Sequence, residues 1–185
     1  MALSHARRLI NVEEYHLMAE VGILKREDRV ELIQGEIFTM SPIGSKHAGH
    51  VNKLSHLLVS NLKDMAIVST QNPVRLNDFS EPEPDISVLK FREDFYSESH
   101  PTPDEILLLI EVADSSLEYD RQMKLPNYAL AMIPICWIVD LENRQVEVYL
   151  NPKDGNYSTK TLKKNDDVLR IPGFDLEILV SDILT

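Results

Sequence analysis

Two acids and a lysine are the residues whose placement could do chemistry. Glu111 ends the apolar run Leu107-Leu108-Leu109-Ile110, and Asp85 opens Ile86-Ser87-Val88-Leu89 behind two prolines, Pro82 and Pro84. A run that is apolar at every position marks a strand covered on both faces. The carboxyl ends of such strands are where α/β proteins place ligands. An isolated carboxylate is costly to bury and needs a metal, a cation or several donors. Two of them on strands of one small sheet can converge on a divalent cation, supplying the hard oxygens that Mg²⁺ prefers. Each acid alone also has a plain reading. Glu111 can be a charge at a solvent-exposed strand end, and Pro84-Asp85 can be a turn dipeptide.

Lys124 is the third element. Asp120 and Lys124 stand at i and i+4 in a predicted helix, so a surface ion pair is one reading. The apolar stripe Leu117, Met123, Leu125, Leu130 nevertheless leaves Lys124 beside the buried face. Helical side chains lean toward the N-terminus, which brings its ammonium toward the end of the preceding strand. There a cation could neutralise a phosphate or steer a water. Tyr128, one turn on, either buttresses the lysine or packs. Glu31 in the early hairpin faces either a site or solvent. His47 and His50 follow the Gly44 loop as surface or capping residues, with no Cys/His cluster to make them zinc ligands. Ser115-Ser116 is a helix-cap candidate. No phosphate-binding glycine loop, dinucleotide fingerprint or nucleophile elbow is present.

The elements that must position these residues follow from periodicity. Asn11 caps a helix over about 12–20 that ends at Gly22. RVELIQGEIFTM alternates around Gln34-Gly35, giving a hairpin or a glycine bulge. Lys46 to Leu62 is a helix with Val51, Leu54, Leu58 and Leu62 on one stripe. Strands are predicted at 66–69, near 73–76, at 86–89 and at 106–112. The polar segment 92–104, with Pro101 and Pro103, is a candidate mobile flap. A helix over 117–132 follows, then strands at 134–141 and at Gln145 to Leu150. A turn at 151–156, strands near 157–162 and 168–171, and a helical turn at 179–184 complete the chain. Strands interspersed with helices on both sides of a mixed sheet indicate one α/β domain over 1–185.

The 185 residues can bury a core without disulfides. The one cysteine, Cys136, lies in an apolar run, which reads as packing in a reducing compartment. The N-terminus lacks a signal peptide's apolar core and no segment approaches membrane-spanning length, so a cytoplasmic location is expected. A formal charge of −11 argues against a general electrostatic grip on nucleic acid, yet clustered carboxylates are what a Mg²⁺ site requires.

The stretches VELIQGEIFTMSPIGSKHAGHVNKL, EPEPDISVL and LLLIEVADSSLEYDRQMKLPNYALAMIPICWIVDLENRQVEVY together resemble the Uma2 family (DUF820), restriction-endonuclease-like proteins abundant in cyanobacteria. The resemblance runs over about 12–185. It implies a PD-(D/E)xK nuclease core, a mixed sheet flanked by helices, with Mg²⁺ (or Mn²⁺ in its place) serving hydrolysis of DNA. Carried over, Asp85 is the acid of "PD", Glu111 the acid of "(D/E)xK", and Glu31 the early acid; Asp85 and Glu111 would hold the metal. The lysine that should stand two residues after Glu111 is Ala113 here, and Lys124 matches a position migrated to the next helix. His47, Asp120 and Tyr128 are supporting candidates. The resemblance further implies a homodimer, so that two sites can cut two strands. The other reading is a catalytically silent module that binds nucleic acid or protein on the same scaffold.

Overall fold

The computed structural model describes residues 7–25 and 27–184. The first six residues of the segment read above for targeting lie outside that range. At the centre is a six-stranded sheet in the order β3-β4-β5-β6-β7-β8. Its strands are β3 (Ala66–Thr70), β4 (Ile86–Lys90), β5 (Ile106–Ala113), β6 (Ile135–Asp140), β7 (Gln145–Lys153) and β8 (Asn156–Lys163). Only β5 and β6 pair in parallel. A parallel pair needs a crossover, and the helical segment between them supplies it. The mixed sheet flanked by helices agrees with the expected fold class.

Alternation along β5 divides the core in two. Leu108, Ile110 and Val112 point to one face, with Ile86, Val88, Trp137 and Val139. That face is covered by Val51, Leu54, Leu58 and Leu62 of α2 (Ser45–Leu62) and by α5 (Val180–Leu184). Leu109 and Ala113 point to the other face, with Cys136, Ile138 and Tyr149, and there the crossover segment packs through Tyr128, Leu117 and Leu125. Glu111 alternates with Leu109 and Ala113, so it belongs to the crossover side.

The crossover is not one continuous α-helix, as periodicity suggests. It consists of α3 (Leu117–Tyr119), a π-helical turn over Asp120–Lys124, and α4 (Leu125–Leu130). The Leu125 N–H bonds the Asp120 carbonyl, five residues back. Pro126 explains the departure: it has no N–H for the Gln122 carbonyl, and its ring would clash with that carbonyl in a regular helix.

The N-terminal part forms its own small assembly. α1 (Val12–Glu20) starts with a reciprocal capping box between Asn11 and Glu14. β1 (Val30–Ile33) and β2 (Glu36–Thr39) make a hairpin rather than a bulge, closed by Gln34 and Gly35, both at positive φ. A Cβ at Gly35 would lie 2.6 Å from Leu9 Cβ, so the close approach also demands glycine. The hairpin is stitched to the segment before β4: the Gly35 N–H donates to Phe79 O and the Glu81 N–H to Leu32 O.

Three other expectations are corrected. Residues 73–76 form no strand; the Val74 and Leu76 N–H groups donate to Pro82 O and Ser80 O, and the prolines at 73 and 82 have no N–H to continue a ladder. The turn expected at 151–156 shrinks to Asp154-Gly155 between longer strands. β9 (Val168–Arg170) gains an unforeseen partner, β10 (Glu177–Leu179). Among the described residues no helix is long and apolar enough to cross a membrane.

Candidate functional site

Because β4 and β5 are antiparallel, with Ile86 opposite Ile110, the residue preceding β4 meets the C-terminal end of β5. There the Val112 N–H donates to Asp85 Oδ2 at 2.8 Å, while Gln71, just beyond β3, donates from Nε2 to Oδ1 at 3.3 Å. His47, in the first turn of α2, places Nε2 3.0 Å from Asp85 Oδ2. His47 is thus not the surface or capping residue expected of it. Burial works to raise the Asp85 pKa, but His47, the Val112 N–H and Lys124 together hold it below the usual range. The hydrogen bond to Asp85 in turn raises that of His47. The two form a hydrogen-bonded pair in the lining of the site.

Glu111 is not at an exposed strand end; it is 2% exposed. Its Oε1 accepts from the Tyr128 hydroxyl and its Oε2 from Lys124 Nζ at 3.2 Å. Tyr128 therefore buttresses the glutamate, not the lysine. Lys124 also donates to Glu83 O at 2.9 Å and lies 3.5 Å from Glu31 Oε2. The π turn brings its ammonium inward: Asp120 and Lys124 are both buried, so the surface-pair reading fails. Asp120 instead accepts from Ser116 Oγ at 2.7 Å, and Ser116 does this in place of capping the helix. Glu31, left open by its sequence context, is buried and accepts from the Tyr119 hydroxyl at 2.8 Å and the Glu83 N–H at 3.0 Å. His50 stays a local helix contact to Lys46 O.

These groups line one cleft of about 340 Å³, with Glu31, His47, Asp85, Glu111, Asp120 and Lys124 around it. Its electrostatics are unbalanced. Four carboxyl groups (Glu31, Asp85, Glu111 and Asp120) share Lys124 as their buried cation. Burial raises the Glu111 pKa well above the ordinary range, and Lys124 and Tyr128 only partly oppose it. Burial likewise lifts Asp120 to about 6. Burial disfavours the charge on Lys124, yet Glu111, Glu31, Asp120 and Asp85 hold it protonated well above the usual lysine range. Such a set is completed by positive charge, and its oxygens suit a hard divalent cation. Glu83, Gln71, Tyr119 and Arg29, which donates to Glu83 Oε1 at 3.3 Å, escaped sequence reasoning. Only Glu83 left a signal, in the period-two acids of Glu81-Pro-Glu83-Pro-Asp85. Among the described residues, the trio whose ligand atoms all lie within 4.8 Å of one another is a different one: His16, Glu81 and His100.

Residues 12–181 match the model of the Uma2 family, described as "Putative restriction endonuclease". A crystal structure from Anabaena variabilis, described as "a putative nuclease belonging to DUF820", is similar in fold with a TM-score of 0.74. The identity is 18%, and the alignment covers 95% of this chain and 97% of that one. No curated protein matches the chain.

Proposed function

The chain belongs to the Uma2 family, and from that premise we propose that its acidic cleft hydrolyses DNA phosphodiester bonds with the help of a divalent cation, Mg²⁺ or Mn²⁺. The observation that carries this reading is the convergence of Lys124 on Glu111, 3.2 Å apart, beside an Asp85 pinned by the Val112 N–H. Ala113 shares the face of Glu111 and offers no ammonium, and Lys124 supplies one from the crossover.

Asp85 and Glu111 would hold the cation, with Glu31 behind them. Mg²⁺ commonly takes one or two carboxylates and completes its shell with water and substrate phosphate, so a tight three-ligand cage is not needed. When bound, the cation polarises the phosphate and lowers the pKa of a bound water. The rest is the work of the chain. Tyr128 and the Val112 N–H fix the two acids, and fixed donors lose nothing to reorganisation as charge develops. Lys124 can turn its longest contact, 3.5 Å to Glu31, toward a phosphate oxygen or a water without giving up Glu111. Asp120 and the His47–Asp85 pair set the local charge. A homodimer would let two such clefts cut two strands.

One observation favours the silent, binding-only reading: Arg29 in the cleft lining, and Lys46 through the lining residue Asp114, are already engaged. Lys46 bonds Asp114 at 2.7 Å and Arg29 bonds Glu83, on a chain of net charge −11. Nicking of supercoiled DNA separates the two readings. Metal-dependent nicking that disappears in D85A and E111A is the result expected of the enzyme; identical background in wild type and both variants is the result expected of the silent module.

A further inference from the structure

Outside the acidic cleft, α1 and two loops bring a second set of ligand-type side chains together. His16 Nε2 from α1 lies 2.6 Å from Glu81 Oε1, and the imidazole of His100 stands beside that of His16 with ring centroids 6.1 Å apart. One ligand atom from each of the three residues falls within 4.8 Å of the other two. Glu81 is 3% exposed, and its second oxygen, Oε2, is buried without a hydrogen-bond partner. A carboxylate oxygen in that condition is costly, and native proteins rarely keep one without an ion or water.

All three residues are held by backbone that is itself anchored. The Asn11 capping box and the Val12 N–H bond to Asp78 O fix α1. The Glu81 N–H bonds Leu32 O, and Pro101, next to His100, accepts the Arg75 N–H at 2.9 Å. Two imidazoles with one carboxylate are a borderline-soft donor set, suited to Zn²⁺ and its neighbours rather than to Mg²⁺. Ligands around a tetrahedral zinc lie roughly 3.4 Å apart, given bonds of about 2.0–2.2 Å, so closing on an ion asks only a small rotation of exposed imidazoles.

We propose that His16, Glu81 and His100 form a transition-metal site of the Zn²⁺ class, distinct from the acidic cleft. With three protein ligands, a fourth position stays open to water. The ion clamps α1 and the loop carrying His100 onto the segment Glu81–Asp85. That segment also delivers the Glu83 carbonyl to Lys124 and Asp85 to Val112, so the clamp steadies the approach to the cleft.

The test uses the full chain, stripped by a chelator and titrated with Co²⁺ and then Zn²⁺. Four-coordinate Co²⁺ reports itself by visible d–d absorption, and calorimetry gives the Zn²⁺ stoichiometry. Wild type should bind one ion with that absorption, displaced by Zn²⁺. His16→Ala and His100→Ala, both at accessible positions, should each weaken binding by at least about tenfold while keeping the wild-type circular dichroism. Asp85→Asn, which disables the acidic cleft, should bind as wild type does. The proposal is overturned if wild type takes up no ion. It is equally overturned if the four-coordinate Co²⁺ absorption survives loss of both histidines or is lost in Asp85→Asn, since the ion that gives it then sits in the cleft.

Discussion

At the scale of single residues, Lys124 and Asp120 are opposite sides of one electrostatic balance. Lys124→Met keeps the length of the side chain and removes the charge that Glu111 and Glu31 face. Removing one partner of a buried ion pair costs on the order of 3–5 kcal/mol. The loss should be larger at pH 8 than at pH 5, because Glu111, whose pKa burial raises, can escape it at low pH by holding a proton. Urea unfolding at the two pH values checks this. Asp120 works in the other direction. Its folded pKa of about 6 lies above its ordinary 3.8, so the folded state binds the extra proton between those values. The stability that this proton confers is present below pH 3.8 and is lost as pH rises through 6. Asp120→Asn, whose amide oxygen can still accept from Ser116, should therefore stabilise the metal-free protein at pH 8 by on the order of 1–3 kcal/mol and change little at pH 3.5. Thermal unfolding in chelator measures it. Among these residues, the sequence marks Glu111, Asp85 and Lys124 because each borders an apolar run or stripe. Tyr119 leaves no such mark: its partner Glu31 is 88 residues away, and only the closed fold brings them together.

At the scale of elements, the π turn positions the lysine and is tied to the sheet by Arg121. Its guanidinium makes two bonds to Glu147 of β7, at 2.6 and 3.1 Å, and Glu147 is 1% exposed. Burial works to raise the Glu147 pKa, but Arg121, Tyr149 and Lys160 overcome it and hold the acid at about 2. The folded pKa is below the ordinary 4.5, so this tie contributes its full stability above pH 4.5 and loses it as pH falls toward 2. Arg121→Ala should lower the unfolding free energy at pH 7 by about 2–4 kcal/mol and flatten its pH dependence between 2 and 4.5. Denaturant titrations across that range would show both effects. Hydrophobic periodicity finds the hairpin, α2 and most sheet strands, since each has its own apolar face, whereas α1 is found by its Asn11 cap and the Gly22 stop. It cannot find the π turn, where the apolar stripe continues smoothly and the break arises from the missing N–H of Pro126. It also mistakes 73–76 for a strand, because Val74 and Leu76 alternate and are buried without a ladder to join.

For the molecule as a whole, the order of the sheet is what turns separate motifs into a cleft. Nothing in the local pattern says that β4 lies antiparallel beside β5, yet that pairing brings Asp85 to Val112 and so to Glu111. The family resemblance carried that arrangement in advance; composition and periodicity did not. The chain's net charge of −11 adds a further expectation. Its cleft should attract DNA only when a cation is bound, because carboxylates and phosphates repel until the ion lies between them. DNA binding by E111Q, measured by fluorescence anisotropy, should accordingly remain weak in both chelator and Mg²⁺, while wild type should tighten by at least about tenfold on adding Mg²⁺. The most direct measurement is nicking of supercoiled plasmid in Mg²⁺ and Mn²⁺ by wild type, D85A, E111A and K124A, each shown folded by circular dichroism. The expected result is metal-dependent nicking by wild type alone, reduced by at least about a hundredfold in all three variants. Equal nicking by all four proteins would contradict the nuclease reading, and full activity in K124A alone would keep the acids and remove the lysine from the chemistry.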